Sequence, residues 1–194
     1  MTSQWPQHWS QVAEFTHPKW RGFIVLNNLS NLGTNIWVVM QKNAGMRPKL
    51  LWKSNVTQAY RWLLMHPCWQ VWQATLINGE FHVDWCAVFG NHTSGHLWCL
   101  FFSLVCWVRI HEQGIEGLLH YVDDAFNVSF NDELTFYPPY QCLMPTDQTR
   151  FLLLLDEIGL LHEDNKQLHG TTLEIIRLVV NLNDLTISMS REAK

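Results

Sequence analysis

Two adjacent aspartates, Asp123 and Asp124, interrupt the apolar segment LLHYVDDAFNVSF at residues 118–130. Aromatic and β-branched residues, which favour strands, lie on both sides of the pair, so the segment predicts a β-hairpin with the aspartates at its tip. Acidic residues are poor strand formers, and neighbouring carboxylates repel each other. One reason to hold them together is to bind hard divalent cations such as Mg²⁺, which take carboxylate oxygens as ligands. The alternative is a polar turn that carries two acids into solvent.

The composition predicts one domain, or one and a fraction, with a substantial core. The chain has 194 residues, of which 47% are hydrophobic and only 15% are charged, against about 25% charged residues in a typical soluble domain. The net charge of −4 divides into +4 over residues 1–97 and −8 over residues 98–194. A nucleic-acid-binding protein usually has a basic surface, and only the first half of this chain allows one, weakly.

The cysteine pattern favours an intracellular location, in the cytoplasm or the nucleus. Five cysteines with no CxxC pair do not form the even-numbered framework that secreted, disulfide-bonded domains use. The N-terminal residues lack the charged and apolar regions of a signal peptide. The longest apolar run, residues 97–108, is too short to span a bilayer, so we expect no membrane partner.

A group of histidines and cysteines in the middle of the chain suggests a zinc site as one alternative. Its members are His82, Cys86, His92, His96 and Cys99. The spacing of His92 and His96 suits two ligands on one helix, but no paired-ligand motif frames the group. We therefore expect ordinary core and surface side chains here.

The hydrophobic pattern predicts helices mixed with antiparallel hairpins. The predicted strands, besides the two that flank the aspartates, are residues 24–26, 36–40, 50–56, 69–77, 81–89, 173–180 and 185–189. The predicted helical segments are a short helix within 1–22, a turn at 58–63, a helix at 96–113 that is apolar almost all round and therefore buried, and a helix from an N-cap at Thr146 to Ile158. Residues 131–145 are predicted to be a loop. This order predicts an α+β fold, with helices packed on one face of an antiparallel sheet.

Five segments, in order, resemble the motifs of reverse transcriptases. YVDD at 121–124 resembles the catalytic hairpin, and LLWKSNVTQAYRWLLMHP at 50–67 resembles the first palm motif, a strand ending in Asp with an aromatic residue five positions later. VFGNHTSG at 88–95 resembles the glycine-containing motif near the incoming nucleotide. LLDEIGLLHEDNKQ at 154–167 resembles the helix and lysine-bearing loop that follow the catalytic hairpin. LEIIRLVVNLNDLTISM at 173–189 resembles the terminal hairpin that grips the primer.

The resemblance covers residues 50–189 and implies a polymerase palm-like domain there, with an N-terminal segment at 1–49 and a tail at 190–194. It implies RNA-templated DNA synthesis by two-metal nucleotidyl transfer, with Mg²⁺ or Mn²⁺ as cofactor and a primer–template nucleic acid as partner. The short flanking segments lead us to expect at most a remnant of the fingers, no thumb and no ribonuclease H domain.

The resemblance also implies roles for individual residues. Asp123 would be the main metal ligand of the hairpin, with Asp124 beside it. Tyr60 would pack under the nucleotide sugar and exclude a 2′-hydroxyl, Gly90 would let the backbone approach substrate, and Lys166 would lie near the leaving pyrophosphate. Without the resemblance, the last three are typical of a core aromatic residue, a turn former and a solvated charge.

One position departs from the family pattern in a way that bears on catalysis. Asn55 stands five residues before Tyr60, where the first motif has an aspartate. Asn is nearly isosteric with Asp but uncharged, so the metals would lose an anionic ligand and the transition state would lose electrostatic stabilisation. Asp84, the nearest other acid, has no spacing that makes it a substitute, and Gly95 stands where the family often has proline. We therefore expect a catalytically impaired palm, with Asn55 occupying a catalytic position.

Other functions stay open at this point. The chain could be a working polymerase subunit that other chains complete. It could instead be a non-enzymatic nucleic-acid-binding or protein-interaction module derived from a retroelement. A translated relic without function is the remaining alternative.

Overall fold

The computed structural model describes residues 48–115 and 117–190. The described strands are β1 Leu50–Asn55, β2 Thr75–Ile77, β3 Glu80–His82, β4 Leu119–Tyr121, β5 Asp124–Ser129, β6 Leu134–Tyr137, β7 Cys142–Pro145, β8 Leu168–Gly170, β9 Thr172–Ile175, β10 Leu178–Asn181 and β11 Thr186–Met189. The α-helices in the same part of the chain are α1 Pro67–Gln70, α2 His92–Gln113 and α3 Thr146–Glu157. The helix predicted within 1–22 and the strands predicted at 24–26 and 36–40 lie outside the described residues.

The main sheet has four antiparallel strands in the order β4-β5-β1-β8. One face of this sheet packs against α2 and α3. Trp52 of β1 lies fully buried on that face, in one cluster with Phe102 of α2 and Phe151 of α3, and the ring centroids of Trp52 and Phe151 are 5.8 Å apart. The predicted α+β class, with helices packed on one face of an antiparallel sheet, is confirmed.

The opposite face of the main sheet carries a second apolar cluster. Leu51 of β1 and Phe126 and Val128 of β5 lie on this face, together with Ile175 and Val180 of the three-stranded sheet β11-β10-β9. Side chains alternate between the two faces along a strand. As a result, Leu51, Lys53 and Asn55 share the face away from the helices, whereas Trp52 is buried against them.

α2 is longer and less buried than the sequence predicts. It begins at His92 because the Asn91 side chain accepts a hydrogen bond of 3.0 Å from the Thr93 backbone N–H, and it ends before Gly114, which has a φ of 70°. Its inner face is buried at Trp98, Phe102, Val105, Cys106 and Arg109. Its outer face is exposed at Leu97, Leu100, Leu104 and Trp107. The helix therefore begins four residues before the predicted start at 96, and the prediction that it is buried all round is wrong.

The same helix, over Thr93–Glu112, is long and apolar enough to cross a membrane by length and composition alone. This is weak evidence for a membrane span, because core helices meet the same criterion. The inner-face contacts of α2 with the main sheet are those of a core helix.

Two predicted strands are mostly not extended. Within 69–77 only Thr75–Ile77 is a strand, because His66 caps a short helix that has Pro67 at its first position. Within 81–89 the strand is Glu80–His82, so it ends early. An Asn-Gly pair between two strand-like runs is a strong hairpin signal, and Asn78 and Gly79 form the tight turn between β2 and β3, with φ angles of 54° and 84°.

Two hairpins were missed in the C-terminal half. The predicted loop at 131–145 contains the paired strands β6 and β7, which turn through a 3₁₀ helix at Pro138–Tyr140. The predicted single strand at 173–180 is the hairpin β9–β10, which turns at Ile176 and Arg177. β8, which pairs with β1, was also not predicted.

The helix α3 is predicted almost correctly. Thr146 is its first residue rather than its N-cap, which is Pro145, and the Thr146 hydroxyl instead donates to the Glu133 carbonyl at 3.1 Å. The helix ends just before Ile158, and Gly159 follows with a φ of 77°, as expected for a glycine after a helix C-terminus.

Candidate active site at the hairpin tip

The β4–β5 hairpin brings its two aspartates to the end of β1. Asn55 is the last residue of β1 and lies directly opposite Asp124 in the sheet register. The Asn55 side-chain amide Nδ2 donates to Asp123 Oδ2 at 3.0 Å and to Asp124 Oδ1 at 2.9 Å. The predicted hairpin, with its aspartates within reach of the strand end that carries Asn55, is confirmed.

The turn of this hairpin is held by hydrogen bonds from two other elements. Val122 has a φ of 55°, which is unusual for a β-branched residue and costs about 1–3 kcal/mol, so it persists only where the surroundings impose it. Its carbonyl oxygen accepts a hydrogen bond of 2.8 Å from the indole Nε1 of Trp98 in α2. The Asp123 carbonyl oxygen accepts one of 3.1 Å from the Val56 N–H. The helix and β1 therefore fix the tip from both sides.

Lys53 is a third side chain at the tip, and sequence reasoning missed it. Its Nζ lies 3.0 Å from Asp124 Oδ2, and the two side chains are only 19% and 17% exposed. Lys53 precedes Asn55 by two residues on the same strand, so both side chains point to the same face. That period-two alternation was the signal that could have identified Lys53 from the sequence.

The two aspartates sit in a partly desolvated environment. Burial raises the pKa of the Asp123 carboxyl above its ordinary value, and the nearby negative charge of Asp124 raises it further. The hydrogen bond from Asn55 and the positive charge of Lys53 act in the opposite direction on this pKa. Asp123 therefore ionises less readily than an exposed aspartate.

The other candidate residues, Tyr60, Lys166 and Gly90, lie outside the β4–β5 hairpin. Tyr60 follows β1 in a 3₁₀ helix, is half-buried against the main core, and has its ring centroid 4.6 Å from that of Phe89. Lys166 is exposed and its Nζ lies 3.2 Å from Glu163 Oε1. Its segment is tied to the site because Gln167 Nε2 donates to the backbone oxygen of Asn55 at 3.2 Å.

Gly90 has a backbone conformation that favours glycine, with a φ of 92°, and open space where a Cβ would stand. This is the geometry of a turn. The structure therefore brings Asn55, Asp123 and Asp124 together and places the segment of Lys166 beside them.

A polar cluster supports the end of β1 from the other side. The Asp156 carboxylate accepts from the Tyr137 hydroxyl at 2.5 Å and bonds to His162 Nε2 at 3.0 Å, and Tyr140 bonds to His162. These residues line a cavity of about 220 Å³. His162 also pairs with Val56 through an isolated β-bridge. Burial raises the pKa of Tyr140 to about 12, so this cluster is typical of a structural network and not of an activated nucleophile.

The donor set at the tip does not fit the two divalent cations that the resemblance implies. Such ions need oxygen ligands, whereas the groups that approach the carboxylates here are the amide of Asn55 and the ammonium of Lys53. No group of three or more His, Cys, Asp or Glu residues that could hold a metal ion occurs within 48–115 and 117–190. His82, Cys86, His96 and Cys99, considered above for zinc, are among the described residues.

Comparison with known proteins identifies the fold. No protein-family model and no curated protein matches this chain. Among solved structures, it is similar to a foamy viral protease-reverse transcriptase in complex with RNA/DNA hybrid, with a TM-score of 0.59 and 14% identity over 75% of this chain. It is also similar to two such structures in complex with double-stranded DNA, with TM-scores of 0.56 and identities of 16% and 18%, again over 75% of this chain. The chain spans only 18%, 23% and 27% of the three foamy viral chains. The antiparallel sheet and helices that the structure describes thus have a palm-like fold similar to that of reverse transcriptases.

Proposed function

We propose that this chain is a reverse-transcriptase-like palm domain of the YVDD type, derived from a retroelement, that has lost efficient metal-dependent nucleotidyl transfer. The single observation that carries the proposal is the double hydrogen bond from Asn55 to Asp123 and Asp124. It brings together, at one point of the sheet, the residues at the three positions where the family would have carboxylates. It also puts an amide donor in the position of an anionic ligand.

The surroundings of the tip support a nucleic-acid-binding role. Lys53 and Asn55 lie on the sheet face away from the helices, and the three-stranded sheet that corresponds to the primer-gripping hairpin of the resemblance packs on that same face. The similar foamy viral proteins were solved in complex with RNA/DNA hybrid or double-stranded DNA. A primer–template duplex is therefore the partner that this fold favours.

The proposed loss of nucleotidyl transfer follows from the reduced negative charge at the hairpin tip. Divalent cations stabilise the developing negative charge of a phosphoryl transfer only if carboxylates hold them in place. Asn55 supplies no negative charge, and the Lys53 ammonium neutralises part of that of Asp124. Loss of residues that merely orient metal ligands already costs about 10–100-fold in affinity or activity, so replacement of a ligand itself should cost more. Activity close to zero is the expected result.

Two measurements on the purified protein test this proposal. The first is fluorescence anisotropy with a labelled RNA/DNA hybrid that has a recessed 3′ end, at several salt concentrations. We expect binding that weakens as salt increases, because released counterions drive it. The second is primer extension with Mg²⁺ and with Mn²⁺, for which we expect no product. Salt-independent or absent binding would count against the nucleic-acid role, and robust extension would count against the impairment.

Asn55→Asp tests the metal chemistry of the site while it leaves the fold unchanged. It restores a negative charge with almost no change in volume, so we expect tighter metal binding, which Asp123→Ala should abolish. Extension can still be absent in Asn55→Asp, because primer and template also need positioning and an error of about 1 Å can cost 10²-fold. Asp132→Asn, at an exposed carboxylate paired with Lys49, is the matched control for a single charge change away from the site.

A protein-interaction module is the second candidate, and one specific observation favours it. Large apolar side chains are exposed across α1, β2, β3 and the segments next to them: Leu64, Trp69, Val71, Trp72, Leu76, Phe81, Trp85 and Phe89. Exposed apolar patches of this kind mark interaction surfaces, and the patch has few basic residues that could bind phosphates. Sedimentation of the protein with and without Trp72→Ser and Phe81→Ser tests this candidate. A loss of association in the variant, together with unchanged duplex binding, would favour it.

A further inference from the structure

The carboxylate oxygens at the hairpin tip are already paired with donors of the protein itself. Asp123 Oδ2 and Asp124 Oδ1 each accept a hydrogen bond from the Asn55 amide, and Asp124 Oδ2 lies 3.0 Å from Lys53 Nζ. Three of the four carboxylate oxygens therefore have a polar hydrogen or a positive charge directed at them. These are the oxygens through which a cation between the two carboxylates would bind.

We propose that Lys53 and Asn55 together replace the divalent cations of a polymerase palm, so that the hairpin tip is stable without metal and excludes metal from Asp124. This inference rests on the proposed palm function and concerns the same site. The inference gives Lys53 a role at this site. Its ammonium group takes the place of a bound metal ion as the positive charge beside Asp124.

The geometry gives each of the two residues a distinct part. The Asn55 amide has two N–H bonds, and it directs one to each carboxylate, which links the strand end to both aspartates. Lys53 supplies the positive charge that two adjacent carboxylates require. Both partners of the Lys53–Asp124 pair are less than one-fifth exposed, so solvent screens the attraction less than it screens a surface ion pair.

A divalent cation at Asp124 would have to displace both groups. The ammonium would have to leave its partner, and the amide would have to turn its oxygen toward the ion and give up two hydrogen bonds. Removing only one of the two therefore leaves the other in place. We expect the effects of Asn55→Asp and Lys53→Met on metal affinity to be coupled, with the larger gain when both are changed.

The test is a titration of the metal-free protein with Mn²⁺, followed by isothermal calorimetry and by the melting temperature. The proteins are the unmodified chain, Asn55→Asp, Lys53→Met and the double variant. Lys49→Met is the matched control, because Lys49 also pairs with an aspartate, Asp132, but at side chains that are 51% and 66% exposed. Neither measurement requires nucleic acid or activity. Failure of duplex binding would therefore count against the proposed function without changing the outcome of this test.

The unmodified chain and Lys49→Met should show no saturable Mn²⁺ binding and no change in melting temperature. The double variant should bind Mn²⁺ at least about tenfold more tightly than Asn55→Asp alone, a difference of about 1.4 kcal/mol. Its melting temperature should fall without metal and rise by roughly 5–10 °C at Mn²⁺ concentrations about a hundredfold above Kd. If the double variant is unfolded without metal, Mn²⁺-dependent recovery of its circular dichroism is the corresponding expected result.

Two results would overturn the inference. One is saturable Mn²⁺ binding by the unmodified chain that Asp123→Ala removes. The other is equal Mn²⁺ affinity of the double variant and Asn55→Asp, which would show that Lys53 does not exclude the metal. If the double variant does not fold even with Mn²⁺, the test relies on the single variant Lys53→Met. Stronger Mn²⁺ binding by Lys53→Met than by the unmodified chain supports the inference. Equal Mn²⁺ binding by these two proteins refutes the inference.

Discussion

The indole Nε1 of Trp98 donates a hydrogen bond of 2.8 Å to the carbonyl oxygen of Val122. Trp98 is fully buried in the inner face of α2, and Val122 is the residue with a positive φ at the turn that presents the two aspartates. This bond joins the main core to the candidate site, because it holds a strained turn against the helix.

Trp98→Phe removes this donor while it keeps an aromatic side chain. We expect a loss of about 2–4 kcal/mol in the free energy of unfolding, because the Val122 carbonyl loses its partner and the smaller ring leaves a cavity. Urea unfolding followed by circular dichroism measures it. Trp107→Phe on the exposed face of the same helix is the control, with an expected change within about 0.5 kcal/mol. Equal effects of the two substitutions would contradict the anchoring role of Trp98.

Asp123→Asn should change how stability depends on pH. The pKa of Asp123 in the folded state is raised above its ordinary value of 3.8, chiefly by burial. The folded state therefore holds this proton more tightly than the unfolded state. The stability from this group is fully present below pH 3.8 and is lost as pH rises through the folded-state pKa.

The measurement is urea unfolding of the unmodified protein and Asp123→Asn at a series of pH values from about 3 to 8. The asparagine oxygen can still accept from Asn55, so the variant should gain stability relative to the unmodified protein as pH rises above 3.8. Effects of titrating groups far from Asp123 cancel in this difference. A difference that does not change with pH, or that changes in the opposite direction, would show that burial does not dominate the pKa of Asp123.

Arg109→Met should stabilise the protein. Arg109 lies on the inner face of α2, fully buried, and its guanidinium nitrogens have no hydrogen-bond partner within the part of the chain that the structure describes. Burial lowers the pKa of Arg109 to about 10, which reflects the cost of keeping a charge there. Methionine fills a similar volume without that charge, so we expect a gain of about 1–3 kcal/mol in unfolding free energy. Lys49→Met, at an exposed position, is the control. Destabilisation by Arg109→Met would point to a partner for the guanidinium in solution.

Gly95→Ala should also stabilise the protein. Gly95 lies inside α2, where alanine is favoured by about 1 kcal/mol, and an added Cβ would lie 3.4 Å from the Tyr60 hydroxyl oxygen, a distance that needs at most a small adjustment. Gly114→Ala is the opposing case, since Gly114 has a φ of 70° and alanine there is strained by about 1 kcal/mol. Thermal melts of both variants should show shifts of opposite sign. A drop in melting temperature for Gly95→Ala would mean that the Tyr60 side chain cannot move enough to accommodate the added methyl group.

The sequence predicted those parts of the fold that have a local signal. The strand β1, the strands that flank Asp123 and Asp124, and the Asn78–Gly79 turn each follow from neighbouring residues. The hairpin β9–β10 was missed because Ile176 and Arg177 carry no turn signal. Both have positive φ angles, of 53° and 64°, which are unfavourable for such residues. Packing against the main sheet, and not local preference, therefore imposes this turn.

The candidate site was predictable only in part because its residues come from distant parts of the chain. Asn55 and Asp123 are 68 residues apart in the chain, and only the order of the motifs, not any local pattern, brings them together. Lys53 was overlooked because a single lysine in a strand is usually a solvated side chain. Its pairing depends on the register that sets Asn55 opposite Asp124.

The alternation of side chains along β1 has a consequence for how such a domain tolerates mutation. Trp52 and Val56 belong to the main core, whereas Lys53 and Asn55 face the other way. A substitution at position 53 or 55 can therefore reverse the electrostatics of one side of the sheet while the packing on the other side is preserved. A slip of the strand by a single residue would instead exchange the two sets and remove Trp52 from the main core. In a strand of this kind, selection for folding and selection for chemistry act on alternate positions, so either can be relaxed while the other is maintained.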